Sequence, residues 1–257
     1  MIDSHCHLDK CQGEPAEVLD RALEAGVERI LTVGLGGESN GRQVEMAEEM
    51  APVFAAVGHH PNEATGFGPD STEAMRRLAK ACPDEVVAIG ETGLDLYRDT
   101  APIEDQRTAF SAQIALAVEL GLPLVVHLRD RQDSEEATAE AFETLDREGP
   151  GLTVILHCFS MPAWVGRAVE RGWYCSFAGN VTYPASDGLR EAAAVVPEEL
   201  ILVETDAPFL TPQSKRRERN RPALITETYG VVAAARGVDP GELDRTVTDN
   251  AGRVFGW

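Results

Sequence analysis

The chain has 257 residues, 43% hydrophobic and 26% charged, a length and balance that suit one α/β barrel with a sizeable core. Its net charge of −20, from 23 basic and 43 acidic residues, argues against broad electrostatic binding to a polyanion, because long-range repulsion slows encounter. No apolar run approaches the roughly 20 residues that span a membrane, and the opening Met1-Ile2-Asp3-Ser4-His5 lacks the basic and long apolar regions of a signal peptide, so a cytoplasmic protein with no membrane partner is expected.

In chain order, short aliphatic or β-branched runs predict strands at 2–7, 29–33, 53–58, 86–90, 122–127, 153–157, 173–177 and 200–204. Runs such as Leu124-Val125-Val126 and Val154-Ile155-Leu156 are apolar throughout, as in strands buried on both faces. Helical patterns lie between them. The segment 15–25 opens on Pro15 and stops before Gly26. Segments 71–81 and 103–120 carry apolar residues three and four apart, the second closing at Gly121-Leu122-Pro123. Strand and helix alternate along the whole chain, which calls for a parallel sheet with helical crossovers. Eight such strands favour an α/β fold of the closed (β/α)8 TIM-barrel type, a single domain over residues 1–257. An open dinucleotide-binding sheet is disfavoured, since no G-x-G-x-x-G follows the first strand.

The five cysteines, Cys6, Cys11, Cys82, Cys158 and Cys175, form no C-x-x-C pair, and free packing thiols are expected. The segment 215–221 concentrates Lys215, Arg216, Arg217, Arg219 and Arg221 in an otherwise acidic chain. It is either a solvated loop or a local attractive patch for anions.

In a (β/α)8 barrel the chemistry collects at the C-terminal ends of the strands. All six histidines fall there: His5 and His7 at the first strand, His59 and His60 at the third, His127 at the fifth and His157 at the sixth. Glu91 closes the predicted fourth strand and Asp206 the eighth. His5 and His7 are two apart, so both imidazoles share one face and chelate one ion, while Cys6 points away into packing. Asp3 shares the inward face and is expected to orient an imidazole, with a buried structural hydrogen bond as the alternative. Four histidines and two carboxylates exceed one tetrahedral site and suit two ions with a carboxylate bridge. Glu91 is the better bridge, its strand lying between those of the two histidine sets. A carboxylated-lysine bridge is excluded because Lys10, Lys80 and Lys215 all miss the strand ends.

The ordered motifs M-I-D-S-H-C-H-L-D at the start, V-G-H-H-P at 57–61, G-E-T-G-L-D at 90–95, V-H-L-R-D at 126–130, H-C-F-S at 157–160 and E-T-D-A-P-F-L at 204–210 resemble those of the TatD family. Its members are metal-dependent deoxyribonucleases and related hydrolases with amidohydrolase-like barrels. The resemblance spans nearly the whole chain. It implies that His5, His7 and Asp206 hold one metal, that His127 and His157 hold the second, and that Glu91 bridges them. His60 takes the family position that contacts the scissile phosphate or leaving oxygen, and His59 falls at a variable position. Two divalent ions are implied, magnesium, manganese or zinc, with 3′→5′ exonuclease activity on DNA. Two motifs depart from the family: Phe159-Ser160-Met161 replaces F-S-G, and Arg219-Asn220-Arg221-Pro222 replaces R-N-E-P. Both bear on substrate preference and leave the metal ligands untouched.

The expected reaction is phosphodiester hydrolysis by a metal-activated water. Asp206 accepts the proton, Glu91 and His60 complete the catalytic set, and Arg129 and Arg219 grip phosphate. A barrel hydrolase acting on small phosphoesters, amides or lactones is the alternative, favoured by the net charge. A metal-binding scaffold without activity ranks below both, because every ligand position is filled.

Overall fold

The computed structural model describes residues 1–98 and 100–257. Its strands are β1 (Ile2–Cys6), β2 (Arg29–Val33), β3 (Val53–Val57), β4 (Val86–Asp95), β5 (Leu124–Arg129), β6 (Val154–Leu156), β7 (Tyr174–Phe177) and β8 (Ile201–Val203). The helices are α1 (Pro15–Glu24), α2 (Gly37–Glu49), α3 (Pro69–Ala81), α4 (Ile103–Leu120), α5 (Glu136–Glu148), α6 (Val165–Glu170), α7 (Asp187–Val195), α8 (Ile225–Arg236) and α9 (Pro240–Phe255). The eight strands belong to one sheet in the order β1 to β8, and neighbours such as β4 and β5 pair in parallel. Sequential parallel strands joined by helices are the α/β class of (β/α)8 TIM-barrel type. Among the described residues no helix is long and apolar enough to cross a membrane.

The chain folds as two compact units, one of Met1–Thr32, Glu49–Val53 and His157–Trp257, the other of Val33–Glu48 and Phe54–Leu156. In the first, the segment after β8 runs beside β1: Asp206 N–H donates to the His5 carbonyl at 2.9 Å and His7 N–H to the Ala207 carbonyl at 2.7 Å. The buried Tyr229 of α8 accepts from Ile2 N–H and donates to the Ile2 carbonyl, each at 3.2 Å. Asn250 of α9 donates to the carbonyls of Glu198 and Ile201, both at 2.7 Å. These side chains give polar partners to backbone that packing removes from water.

In the second unit β4 is buried along its whole length. It runs five residues past the expected end at Gly90, so Glu91 lies inside the strand and does not close it. The physical reason is the pair of glycines. Gly90 and Gly93 have φ +133° and +143°, and a β-carbon on either would collide with the backbone of β5, at Val125 or His127. Here glycine permits close strand approach instead of a turn, and the register shifts between Gly90 and Thr92 accordingly. Helix α4 spans the expected residues and ends on Gly121, which is left-handed at φ +66°.

Candidate functional site

In the first unit, His5 lies within β1 and His7 one residue past it. The two rings meet edge to face, centroids 5.1 Å apart. Asp206 Oδ1 stands 3.9 Å from His5 Nε2 and 3.7 Å from His7 Nε2. Those separations are too long for hydrogen bonds. Two donors each about 2.1 Å from a common ion, however, lie at most about 4.2 Å apart, so a divalent cation fits the three. The donor set of two imidazoles and a carboxylate, all buried with ligand atoms within 4.8 Å of one another, is suited to zinc, manganese or a similar ion. Asp206 adopts φ +51°, a left-handed conformation costing about 1–3 kcal/mol outside glycine and held here by its bond to β1.

His157, directly after β6, stacks on His5 with centroids 3.9 Å apart and planes 11° from parallel. Its Nδ1 lies 3.2 Å from Glu204 Oε1, which also accepts Cys158 N–H at 2.8 Å. A carboxylate at Nδ1 keeps the ring proton there and leaves Nε2 as the ligating nitrogen. Glu204 is fully buried and was not singled out from the sequence, although it opens the E-T-D motif.

Asp3 differs from its expected role. Its Oδ1 accepts from the backbone N–H of His5 at 3.3 Å and of Thr205 at 2.9 Å, and its Oδ2 from the Thr205 hydroxyl at 2.6 Å. It therefore braces the backbone behind the ligands instead of orienting an imidazole. Burial pushes this carboxyl up to about 7, against the opposing hydrogen bonds from Thr205. Burial likewise raises the Cys11 and Cys175 thiols to about 12, and none of the five cysteines forms a disulfide. The buried Cys6, Cys11 and Cys175 are packing groups.

In the second unit, Glu91, His60 and His127 meet. Glu91 Oε1 lies 2.8 Å from His127 Nδ1 and 3.4 Å from His60 Nε2. The donor atoms again sit within 4.8 Å of one another, a spacing that admits a metal ion. Hydrogen bonding separates the roles. Asn62 N–H donates to His60 Nδ1 at 3.0 Å, so the ring proton resides on Nε2, facing Glu91. His60 is thereby set up as a donor more than as a ligand. His127 Nε2 lies 3.3 Å from Asp95 Oδ2, which also accepts from Asn62 at 3.0 Å. Burial alone would raise the Asp95 carboxyl, but His127, the Arg98 N–H and Asn62 outweigh it and hold it well below the usual carboxylate range. Asp95 lay past the expected end of its strand, which is why the sequence did not expose it.

Arg129 follows His127 by two residues on β5, with its guanidinium 4.1 Å above the centroid of the Tyr97 ring. Among the described residues no carboxylate pairs with it. Arg219 is exposed in the cationic loop, where Arg221 pairs with Glu218 at 2.8 Å. His59 is 2.8 Å from the Glu63 carbonyl and packs on Phe67, away from Glu91 and His127.

A family model described as TatD related DNase matches residues 2–256. The chain is 38% identical to the uncharacterized metal-dependent hydrolase TatD of Mycobacterium tuberculosis, covering 100% of this chain and 98% of that one. It is 35% identical to the 3′-5′ ssDNA/RNA exonuclease TatD of Citrobacter rodentium, over 93% and 91% of the two chains. The crystal structure of YjjV, a TatD homologue of Escherichia coli, superposes with a TM-score of 0.91 at 29% identity, covering 100% of this chain and 98% of that one.

Proposed function

Since the chain belongs to the TatD family of metal-dependent hydrolases, we propose that it is a 3′→5′ exonuclease that hydrolyses phosphodiester bonds of single-stranded DNA. The observation that carries this reading is the buried meeting of His5, His7 and Asp206 at separations that one divalent ion fills. The Citrobacter relative named as an exonuclease supports the choice of bond.

The proposed ligands of two divalent ions are His5, His7, Asp206, His157, Glu91 and His127. Divalent ions, when bound, lower the pKa of water toward about 7 and offset charge on phosphoryl oxygens. The Asp206 carboxylate takes the proton of the attacking water. The Nε2 proton of His60, kept there by Asn62, is offered to a phosphoryl or leaving oxygen. Glu204 holds His157 by Nδ1 and Asp95 holds His127 by Nε2, so neither ring turns as charge develops. Arg129, its guanidinium 4.1 Å over the Tyr97 ring centroid, offers paired hydrogen bonds to phosphate, and Arg219 adds an exposed cation beyond Asp206.

The net charge of −20 favours a second reading, hydrolysis of a small phosphoester. An assay of metal-reconstituted protein on 5′-labelled single-stranded DNA, beside a panel of small phosphoesters, amides and lactones, separates the two. The exonuclease reading expects stepwise shortening from the 3′ end and release of mononucleotides. Turnover of small esters with intact DNA would overturn it.

A further inference from the structure

Phe209 stands beside the His5, His7 and Asp206 group with no part in holding an ion. It is 45% exposed, and its ring meets His7 at a centroid distance of 5.8 Å and an interplanar angle of 73°. Its backbone is fixed on both sides. Phe209 N–H donates to the Asp206 carbonyl at 2.8 Å, and the Phe209 carbonyl accepts from the Asn220 side-chain amide at 2.5 Å. The same buried amide donates to the Thr205 carbonyl at 2.8 Å, which anchors the cationic segment 215–221 behind the ligand loop. Within that segment, Arg216 lies 4.7 Å over the Tyr183 ring centroid and donates to its hydroxyl at 3.0 Å.

An exposed phenyl ring gains nothing from water, and a disordered one would make a poor contact. This ring is mounted on a braced loop, next to a buried ligand set and tied through Asn220 to the segment that carries Arg216. Proteins that bind single strands combine these two elements: bases stack on aromatic faces, and cations follow the phosphates. We propose that Phe209 is the stacking platform for a nucleobase adjoining the phosphodiester at the metal group, with Arg216, steadied by Tyr183, meeting a neighbouring phosphate. The inference rests on the exonuclease reading above and adds that the protein holds its substrate by the base as well as by the backbone.

Covering His7 is the competing role for the ring, and Phe209→Leu separates the two because it keeps apolar bulk while removing the flat face. Binding of a fluorescent single strand to metal-loaded protein is followed by anisotropy, its 3′-terminal linkage made as a non-hydrolysable methylenephosphonate. A second strand is identical except that the two nucleotides flanking that linkage are abasic. The platform predicts that Phe209→Leu binds the base-bearing strand roughly 10-fold more weakly than wild type. It predicts a change of less than about 2-fold on the abasic strand, recovery of affinity in Phe209→Trp, and unaltered metal per chain in both variants. Equal losses on the two strands, or no loss on either, would overturn the platform. So would wild-type protein that binds both strands equally well, a result that leaves the nucleic-acid reading standing. Wild-type protein with no affinity for either strand would instead sink the exonuclease reading, and the platform with it.

Discussion

Removing the Glu204 carboxylate tests whether the ring of His157 is held for metal binding. Oε1 accepts two donors, His157 Nδ1 at 3.2 Å and Cys158 N–H at 2.8 Å, in a place fully closed to water. In Glu204→Ala both donors are stranded. Each unsatisfied buried group costs about 1–3 kcal/mol, so the expected loss is roughly 2–6 kcal/mol out of a total stability of about 5–15 kcal/mol. Glu204→Gln keeps an oxygen that still accepts both bonds but removes the charge that about doubles their strength. Its expected cost is about 1–2 kcal/mol, so it remains folded and readable. Loss of a carboxylate behind a ligating histidine weakens metal binding about 10–100-fold, and the alanine variant is expected near the upper end. Denaturant unfolding in chelator gives the stability, and manganese or zinc titration against a competing chelator gives the affinity. Wild-type metal affinity in both variants would refute the assignment of His157 as a ligand held by Glu204.

Asp206→Asn is expected to fold and to lower turnover by on the order of 10²–10⁴; a purified variant with near-normal kcat would remove Asp206 from the chemistry. Gly93→Ala forces a side chain into φ +143° and against the His127 carbonyl, so a loss above about 3 kcal/mol is expected on denaturant unfolding. Gly121→Ala, left-handed at φ +66° but with open space around it, is the control and should cost only about 1–2 kcal/mol; similar losses in the two would contradict the close approach of β4 to β5. Tyr97→Ala frees the Arg129 guanidinium from its stack and is expected to raise KM for single-stranded DNA about 3- to 30-fold with kcat nearly kept. An unchanged KM would leave Arg129 without a substrate role.

The parts of the fold written in local chemistry were legible. Strand β2 spans its predicted residues, and α4 runs to the glycine that caps it. The grouping of His5 with His7 followed from strand periodicity alone, because residues two apart in an extended segment share a face. The fourth strand was expected to stop at Gly90, five residues short of its end at Asp95. Only its approach to β5 shows that both glycines serve a buried strand, and that distance is a tertiary fact. Asp95 went unread for the same reason, while Glu204 looked like one more acid beside an apolar run. Its meaning depends on His157, 47 residues away. The proton position on His60 was equally out of reach, since it depends on where the Asn62 N–H points. Asp3 was placed on the correct inward face, yet the partner that claims its carboxylate, Thr205, lies 202 residues along the chain.

Metal content per chain, measured by elemental analysis after reconstitution and desalting, addresses the central claim most directly. Wild-type protein should carry two divalent ions, and the double variant His5→Ala with His7→Ala should lose at least one while retaining its fold by circular dichroism. Identical metal content in the two proteins would contradict the account, because the ion would then be held by something other than the imidazoles that converge on Asp206.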